Sequence, residues 1–336
     1  MTRADAPAVT VDVVGWDHPD VVRLRDAQQA ELRERYGEDD IGHEMSGDDI
    51  VGVVLLHADG EPVAIGALRD VGAVYDDLEP RTAEVKRMYV VPEHRGRGYS
   101  RPILTELERL ATAQDVRCLV LETGPLQPEA IGLYLRAGFF PIENYGEYVG
   151  VVDSRCFAKY LVPVPQSERG PRYEGRVTVE RTGWDDPRAL GLRRAMHRFN
   201  GWRYPELQPM WDAAGGFDGD DAAQGVGVQV VLLALLDGEP AGHVALRGPR
   251  DGYPEGSGEV KKLFVDDSAR GAGLARTLMR ALEAEARAAG MTSLLLQTGV
   301  RQPEAVRLYV DEGYRPIAPY GPYVGDLLSL CFAKTL

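Results

Sequence analysis

The sequence predicts a tandem pair of mixed α/β (α+β) domains, each built around one central sheet. Three observations carry that prediction: the length, a self-similarity at fixed offsets, and an order of strand-like and helix-like segments that occurs twice. At 336 residues the chain has room for about two domains, each able to bury its own core. Arg95-Gly96-Arg97-Gly98-Tyr99-Ser100 and Arg270-Gly271-Ala272-Gly273-Leu274-Ala275 stand 273 − 98 = 175 residues apart. The same offset joins Glu84-Val85-Lys86 to Glu259-Val260-Lys261, Gln127-Pro128-Glu129-Ala130 to Gln302-Pro303-Glu304-Ala305, and Cys156-Phe157-Ala158-Lys159 to Cys331-Phe332-Ala333-Lys334.

Taken in order, the first half opens with the alternating strand pattern Val9-Thr10-Val11-Asp12-Val13, then Gly15-Trp16-Asp17-His18-Pro19 and a helical stretch through Tyr36. The second half repeats this at Val177-Thr178-Val179 and Gly183-Trp184-Asp185-Asp186-Pro187, at an offset of 184 − 16 = 168. The offset grows to 239 − 61 = 178 at Glu61-Pro62 and Glu239-Pro240 before settling at 175. Insertions therefore fall between strands, where loops absorb them. A hairpin follows in each half, over 51–57 with 63–68 and over 228–236 with 241–246, turning at Asp59-Gly60 and Asp237-Gly238. Long strands over 83–91 and 258–265 then run into the glycine turns. The helices after them carry Ile103, Leu107, Leu110 and Leu274, Leu278, Leu282 at the spacing of a buried stripe. Strands over 118–123 and 293–298, short helices over 128–137 and 303–312 closed by Gly138 and Gly313, and two last strands complete each half. Neither half alternates strand and helix as a doubly wound sheet does. Residues 163–171 are Pro-rich and nonperiodic. The expected domains are thus 1–162 and 176–336, joined by a linker over 163–175.

Composition narrows the function. No apolar run approaches the ~20 residues that span a bilayer, and Met1-Thr2-Arg3-Ala4-Asp5-Ala6-Pro7 holds no secretory apolar core, so a cytoplasmic protein with no membrane partner is expected. A formal net charge of −14 opposes nonspecific nucleic-acid binding, which needs a positive field, and suits a cationic partner. Three cysteines fit a reducing compartment, and Cys156 and Cys331 occupy equivalent places in a repeated apolar strand as core thiols. No Cys-x-x-Cys or His-x-His spacing exists, and the six histidines are scattered singly, so no metal is expected. Glu38, Asp39, Asp40, Glu44, Asp48 and Asp49 read as a solvated loop that could steer a cation.

The glycine turns carry the chemistry. A strand that ends in such a turn and opens a helix leaves backbone N–H groups unpaired and directed outward, which is a site for phosphate. Neither the dinucleotide fingerprint G-x-G-x-x-G nor the loop G-x-x-x-x-G-K-[ST] is present. What is present, R-x-x-G-x-[SA] between a long strand and a helix, resembles the acyl-CoA signature [QR]-x-x-G-x-[GA] of the GNAT superfamily of N-acetyltransferases. With a downstream Leu-Tyr and Gly-aromatic segment in each half, the resemblance covers nearly the whole chain. It implies acetyl-CoA as acyl donor, its pyrophosphate held by Arg95, Gly96, Arg97, Gly98, Tyr99 and Ser100 in one half and by Arg270, Gly271, Ala272, Gly273, Leu274 and Ala275 in the other. Ser100 departs from the family's Gly or Ala, so the second turn matches better.

The same resemblance implies that backbone groups near Met88 and Val90, and near Leu263 and Val265, meet the donor, those at Met88 and Leu263 polarising the thioester carbonyl. Glu84 and Glu259, each 11 residues before the turn arginine (95 − 84; 270 − 259), match the family's strand Glu, a general base or ammonium partner; pairing with the adjacent Lys or Arg is the alternative. Tyr134 and Tyr309 match its thiolate-protonating Tyr, a suitable acid because a phenol's pKa of ~10 lies near that of a thiol. Tyr145, Tyr148, Tyr320 and Tyr323 fall where the fold brings a loop over the acceptor, and their rings could hold an ammonium; turn packing is the other reading. The tandem layout is similar to that of mycothiol synthase, in which one domain carries the catalysis, yet here both halves keep turn, Glu and Tyr. The expected activity is acetyl-CoA-dependent N-acetylation of a small primary amine by direct attack in a ternary complex. Acetylation of protein lysines or N-termini, and a noncatalytic CoA-binding sensor or interaction protein, are the alternatives. Monomer and homodimer are both open.

Overall fold

A computed structural model describes residues 7–37, 47–72, 74–161 and 176–336. The chain divides into two compact units, Met1–Pro165 and Gln166–Leu336. The expected linker over 163–175 lies outside the described residues, as do Glu38, Asp39, Asp40 and Glu44.

The first unit runs β1 (Val9–Val14), α1 (Pro19–Tyr36), β2 (Ile50–Ala58), β3 (Glu61–Asp70), β4 (Thr82–Val90), α2 (Ser100–Ala113), β5 (Cys118–Thr123), α3 (Pro128–Arg136), β6 (Phe140–Ile142) and β7 (Arg155–Tyr160). Its seven strands form one sheet in the order β1-β2-β3-β4-β5-β7-β6. Only β4 and β5 pair in parallel; the rest are antiparallel. The second unit repeats the plan with β8 (Val177–Thr182), α4 (Pro187–Arg203), α5 (Gln208–Ala213), α6 (Gly216–Gly225), β9 (Val228–Leu236), β10 (Glu239–Arg247), β11 (Ser257–Val265), α7 (Leu274–Ala288), β12 (Ser293–Gly299), α8 (Pro303–Asp311), β13 (Arg315–Ile317) and β14 (Ser329–Thr335). Its sheet order, β8-β9-β10-β11-β12-β14-β13, is the same topology.

Local sequence sets the helix ends. Pro19 and Pro187 stand at the first helical position, where no N–H is missed, and the preceding His18 and Asp186 accept from the Asp20 and Arg188 amides. Gly37 closes α1 in the left-handed conformation. The α2 stripe Ile103, Leu104, Leu107 and the α7 stripe Leu274, Leu278, Leu282 are buried against one face of each sheet, with Leu110 half-buried. Each such side chain contributes roughly 1.5–3 kcal/mol. On the opposite face α1 and α4 cover apolar clusters built round Val21, Leu24, Ile65 and Ala189, Leu192, Ala245.

The second unit departs from the sequence reading over 208–225, where α5 and α6 occupy a stretch with no apolar periodicity. Tertiary contact holds α6. The Arg193 guanidinium of α4 forks onto Asp221 at 2.7 and 3.0 Å, donates to the Trp184 carbonyl, and lies 3.9 Å above the Trp184 ring. Both charges are buried. Arg193→Ala would strand the Asp221 carboxylate in the interior. Urea denaturation of the full chain is expected to show a loss of about 3–5 kcal/mol for this variant, against under about 1 kcal/mol for Arg194→Ala, whose partner Asp218 is solvent-exposed.

All three cysteines are buried and none is in a disulfide, with Cys156 and Cys331 at matching places in β7 and β14. Burial pushes the Cys118 thiol up to about 11 and raises Cys156 as well. A thiol reagent at neutral pH is therefore expected to label none of them in the native protein within minutes and all three in denaturant; rapid native labelling would contradict this packing.

Candidate active site

Each half is organised by a break in its parallel strand pair. β4 pairs with β5 only over 82–84 against 118–120, and β11 with β12 only over 257–259 against 293–295. Just beyond, Arg87 (φ 55°) and Lys262 (φ 53°) lie in the left-handed region, where the register against β3 and β10 slips. An extra residue of this kind bends a strand and sharpens its twist. The β5-facing edge of 85–90 and the β12-facing edge of 260–265 are consequently left without a strand partner, and their backbone polar groups remain for a ligand. Gln28 of α1 holds one of them, donating to the Met88 carbonyl at 3.0 Å.

The turns follow. Gly96, Gly98, Gly271 and Gly273 have φ of 76°, 82°, 83° and 80°, and a Cβ at any of them would meet nothing within 4 Å. Glycine is required there for its left-handed backbone, not for room. Among the described residues no acceptor takes up the amides of Gly96, Arg97, Gly98 and Tyr99, or of Gly271, Ala272, Gly273 and Leu274. Those donors stand at the N-terminal ends of α2 and α7, where the helix dipole favours an anion.

In the first half the expected donor-binding residues converge. A cleft of about 230 Å³ is lined by Met88 and Val90 of β4, by Arg95, Gly96, Gly98, Tyr99 and Ser100 of the turn, and by Tyr134 of α3. Arg97 turns away to the Glu93 carbonyl. In the second half a cleft of about 180 Å³ brings Leu263 and Tyr309 together, but neither Val265 nor any residue of the turn 270–275 lines it. Arg270 instead stacks over Phe199 at 4.7 Å, where the first half has Glu31 paired with Arg95. Burial raises the Tyr134 phenol, with the nearby Glu122 charge adding to it, and burial raises Tyr309. Both are neutral proton donors at physiological pH.

Glu84 and Glu259 line neither cleft, and both are fully buried. Glu84 Oε1 accepts from Tyr145 (2.8 Å) and Tyr148 (3.3 Å) and lies 3.4 Å from Lys86 Nζ, while Arg69 approaches Oε2 at 3.5 Å. Glu259 is held the same way, by Tyr320 (3.3 Å), Tyr323 (3.1 Å), Lys261 (3.7 Å) and Arg247 (3.0 Å). Lys86 and Lys261 also donate to the Tyr148 and Tyr323 hydroxyls. This geometry is an ion pair extended by two phenols that burial and the adjacent carboxylate keep protonated. Burial also lowers the Lys261 ammonium to about 8, against the pull of Glu259. The four loop tyrosines thus meet the strand glutamates, and neither group joins Tyr134 or Tyr309.

Sequence reasoning missed Arg69 and Arg247, which complete the nests, and Glu122, a charged residue inside the otherwise apolar β5. Its counterpart at the repeat offset, 122 + 175 = 297, is Gln297. It also missed Tyr36 and Tyr204, whose hydroxyls lie where a Cβ on Gly124 or Gly299 would fall, 1.7 and 2.0 Å away. Among the described residues no cluster of His, Cys, Asp and Glu is placed to hold a metal, and no helix is long and apolar enough to cross a membrane.

Comparison with known proteins gives the family. The model of the Acetyltransferase (GNAT) family matches residues 18–139 and 196–314. An IAA acetyltransferase of Azospirillum brasilense is 43% identical over 105 residues, covering 31% of this chain and 67% of that protein. An acetyltransferase structure from Streptococcus agalactiae is 20% identical with a TM-score of 0.38, over 49% of this chain and 100% of that one. The PaiA N-acetyltransferase of Thermoplasma acidophilum, solved with coenzyme A, is 10% identical with a TM-score of 0.37, over 48% and 99%. With each half carrying its own match, the chain belongs to the Acetyltransferase (GNAT) family and is an acetyl-CoA-dependent N-acetyltransferase made of two copies of that fold.

Proposed function

We propose that the protein transfers the acetyl group of acetyl-CoA to a primary amine of a small molecule, by direct attack in a ternary complex. The observation that carries this reading is the convergence, in one cleft, of the turn glycines, the unpartnered edge of β4 and a buried neutral phenol. The free amides of 96–99 and 271–274, with the helix dipoles behind them, receive the donor's pyrophosphate. Backbone groups at Met88 and Leu263, flanked by Val90 and Val265, polarise the thioester carbonyl. Tyr134 and Tyr309 hand a proton to the departing thiolate. Glu84 and Glu259 act as positioning residues: buried and saturated with partners, they fix Tyr145, Tyr148, Tyr320 and Tyr323 as the floor of the acceptor side, whose rings offer their faces to an ammonium. A cationic acceptor suits a chain of net charge −14. Direct attack is supported by the cysteines, since none of the three lines either cleft and no thiol is placed to carry the acetyl group.

Steady-state kinetics with acetyl-CoA over amines, amino acids and aminoglycosides test the reading. Intersecting rather than ping-pong patterns are expected, with CoA release dependent on the amine; a mass shift found only on protein lysines or N-termini would replace the small acceptor. Tyr134→Phe is expected to lower kcat by about 100-fold with the KM for acetyl-CoA little changed. Gly98→Ala places a Cβ on left-handed backbone at a cost of about 1–2 kcal/mol, so acetyl-CoA affinity in calorimetry should fall by about tenfold.

A further inference from the structure

Glu122 differs from Glu31 and Glu129, the carboxylates that line the first cleft, in standing outside its lining. It lies two residues past the end of the β4–β5 pairing, on the same face of β5 as Val120, which packs with Tyr145, Tyr148 and Cys156. Unlike the fully buried Glu84, it stays partly exposed. Its side chain accepts a hydrogen bond from Ser154, just before β7, and its charge reaches the Tyr134 phenol on α3 and the Tyr36 phenol on α1. From β4, Lys86 favours its ionised form while Glu84 opposes it, and Glu147, near Tyr148, opposes it too. Burial outweighs the rest and raises it above the ordinary carboxylate range, which makes it a stronger base than a solvated glutamate.

The second half lacks this group. Gln297 stands in its place and donates to Ser329, the counterpart of Ser154, at 2.8 Å. Pro322 stands where the first half has Glu147 (147 + 175 = 322). An amide takes no proton at neutral pH. Asp326, which does line the second cleft, already accepts from the Leu328 amide and the Ser329 hydroxyl. That cleft is also the one whose lining includes no turn residue.

We propose that the halves do unequal work: the first transfers the acetyl group with Glu122 taking the proton of the acceptor's ammonium, and the second, holding Gln297 there, does not turn over. The assignment rests on the amine acetylation proposed above. One ammonium N–H bond breaks and its proton passes to Glu122; the freed nitrogen pair forms the C–N bond at the thioester carbonyl carbon. As the C–S bond breaks, sulfur takes the Tyr134 proton, Tyr134 regains one from the attacking nitrogen, and Glu122 releases its own to water.

The test uses the full chain, acetyl-CoA and the best acceptor found among primary amines, amino acids and aminoglycosides, with CoA thiol release as readout. Glu122→Gln copies the native environment of Gln297, so it is expected to fold. Because the second half is untouched in this variant, a rate shared equally between the halves would leave about half the activity. We expect under about a hundredth, acetyl-CoA affinity within twofold, loss of the acid limb of the kcat/KM profile, and a smaller loss with the weakly basic methoxyamine. Residual activity above a third, or equal losses for strongly and weakly basic amines, would overturn the proposal. Should E122Q fail to fold, Glu122→Asp takes its place, expected to keep the acid limb at a reduced rate; an unchanged rate and profile would overturn it. Wild-type protein that binds acetyl-CoA but acetylates no amine would remove the underlying reading as well, whereas wild-type transfer with an unaffected E122Q removes this inference alone.

Discussion

Everything at the site depends on one backbone constraint, the left-handed residue that bends β4 at Arg87 and β11 at Lys262. A parallel pair that stayed in register would satisfy its own N–H and C=O groups and leave nothing for a ligand. By ending the pairing at Glu84 and Glu259, the bend opens a wedge between two strands at the centre of the sheet. The cost of a left-handed arginine or lysine is about 1–2 kcal/mol, and it is met twice at equivalent positions. That recurrence is what a functional distortion looks like, as opposed to an accident of packing.

The strand glutamates show how a buried charge is tolerated. Glu84 and Glu259 have no exposure to water, and each is surrounded by an arginine, a lysine and two phenols. Removing a carboxylate from water costs several kcal/mol, which returns only if its lone pairs are filled and opposite charge is near. Both conditions are met, and each carboxylate holds its two phenols in a single arrangement.

Much of this was legible in the sequence because duplication doubles every signal. The fold class, the order of elements, the glycine turns and the placement of Tyr134 and Tyr309 followed from patterns present at two offsets. What escaped detection depends on packing. The helices over 208–225 are polar and Gly-interrupted, stabilised by the Arg193–Asp221 fork, and no periodicity announces them. The partners of the strand glutamates come from β3 and β10, 15 and 12 residues upstream, and a strand pattern does not say which side chains face each other until the register is fixed. Glu122 was visible as a charge within an apolar strand, but its meaning lies in the Gln297 opposite it in the repeat, and a search for what the halves share passes over what they do not.

The slots occupied by Tyr36 and Tyr204 limit how far each wedge can widen. A phenol rests directly on Gly124 and on Gly299, so the end of α1 is buttoned to the connection that follows β5, and the residue just past α4 to the last residue of β12, each by an aromatic ring filling the space of one missing methyl group. Gln28, Glu31 and Arg35, which form the far wall of the first cleft, ride on that same helix. The aperture is therefore gauged by a single absent carbon, and any side chain at 124 would expel the ring and let the wall swing outward.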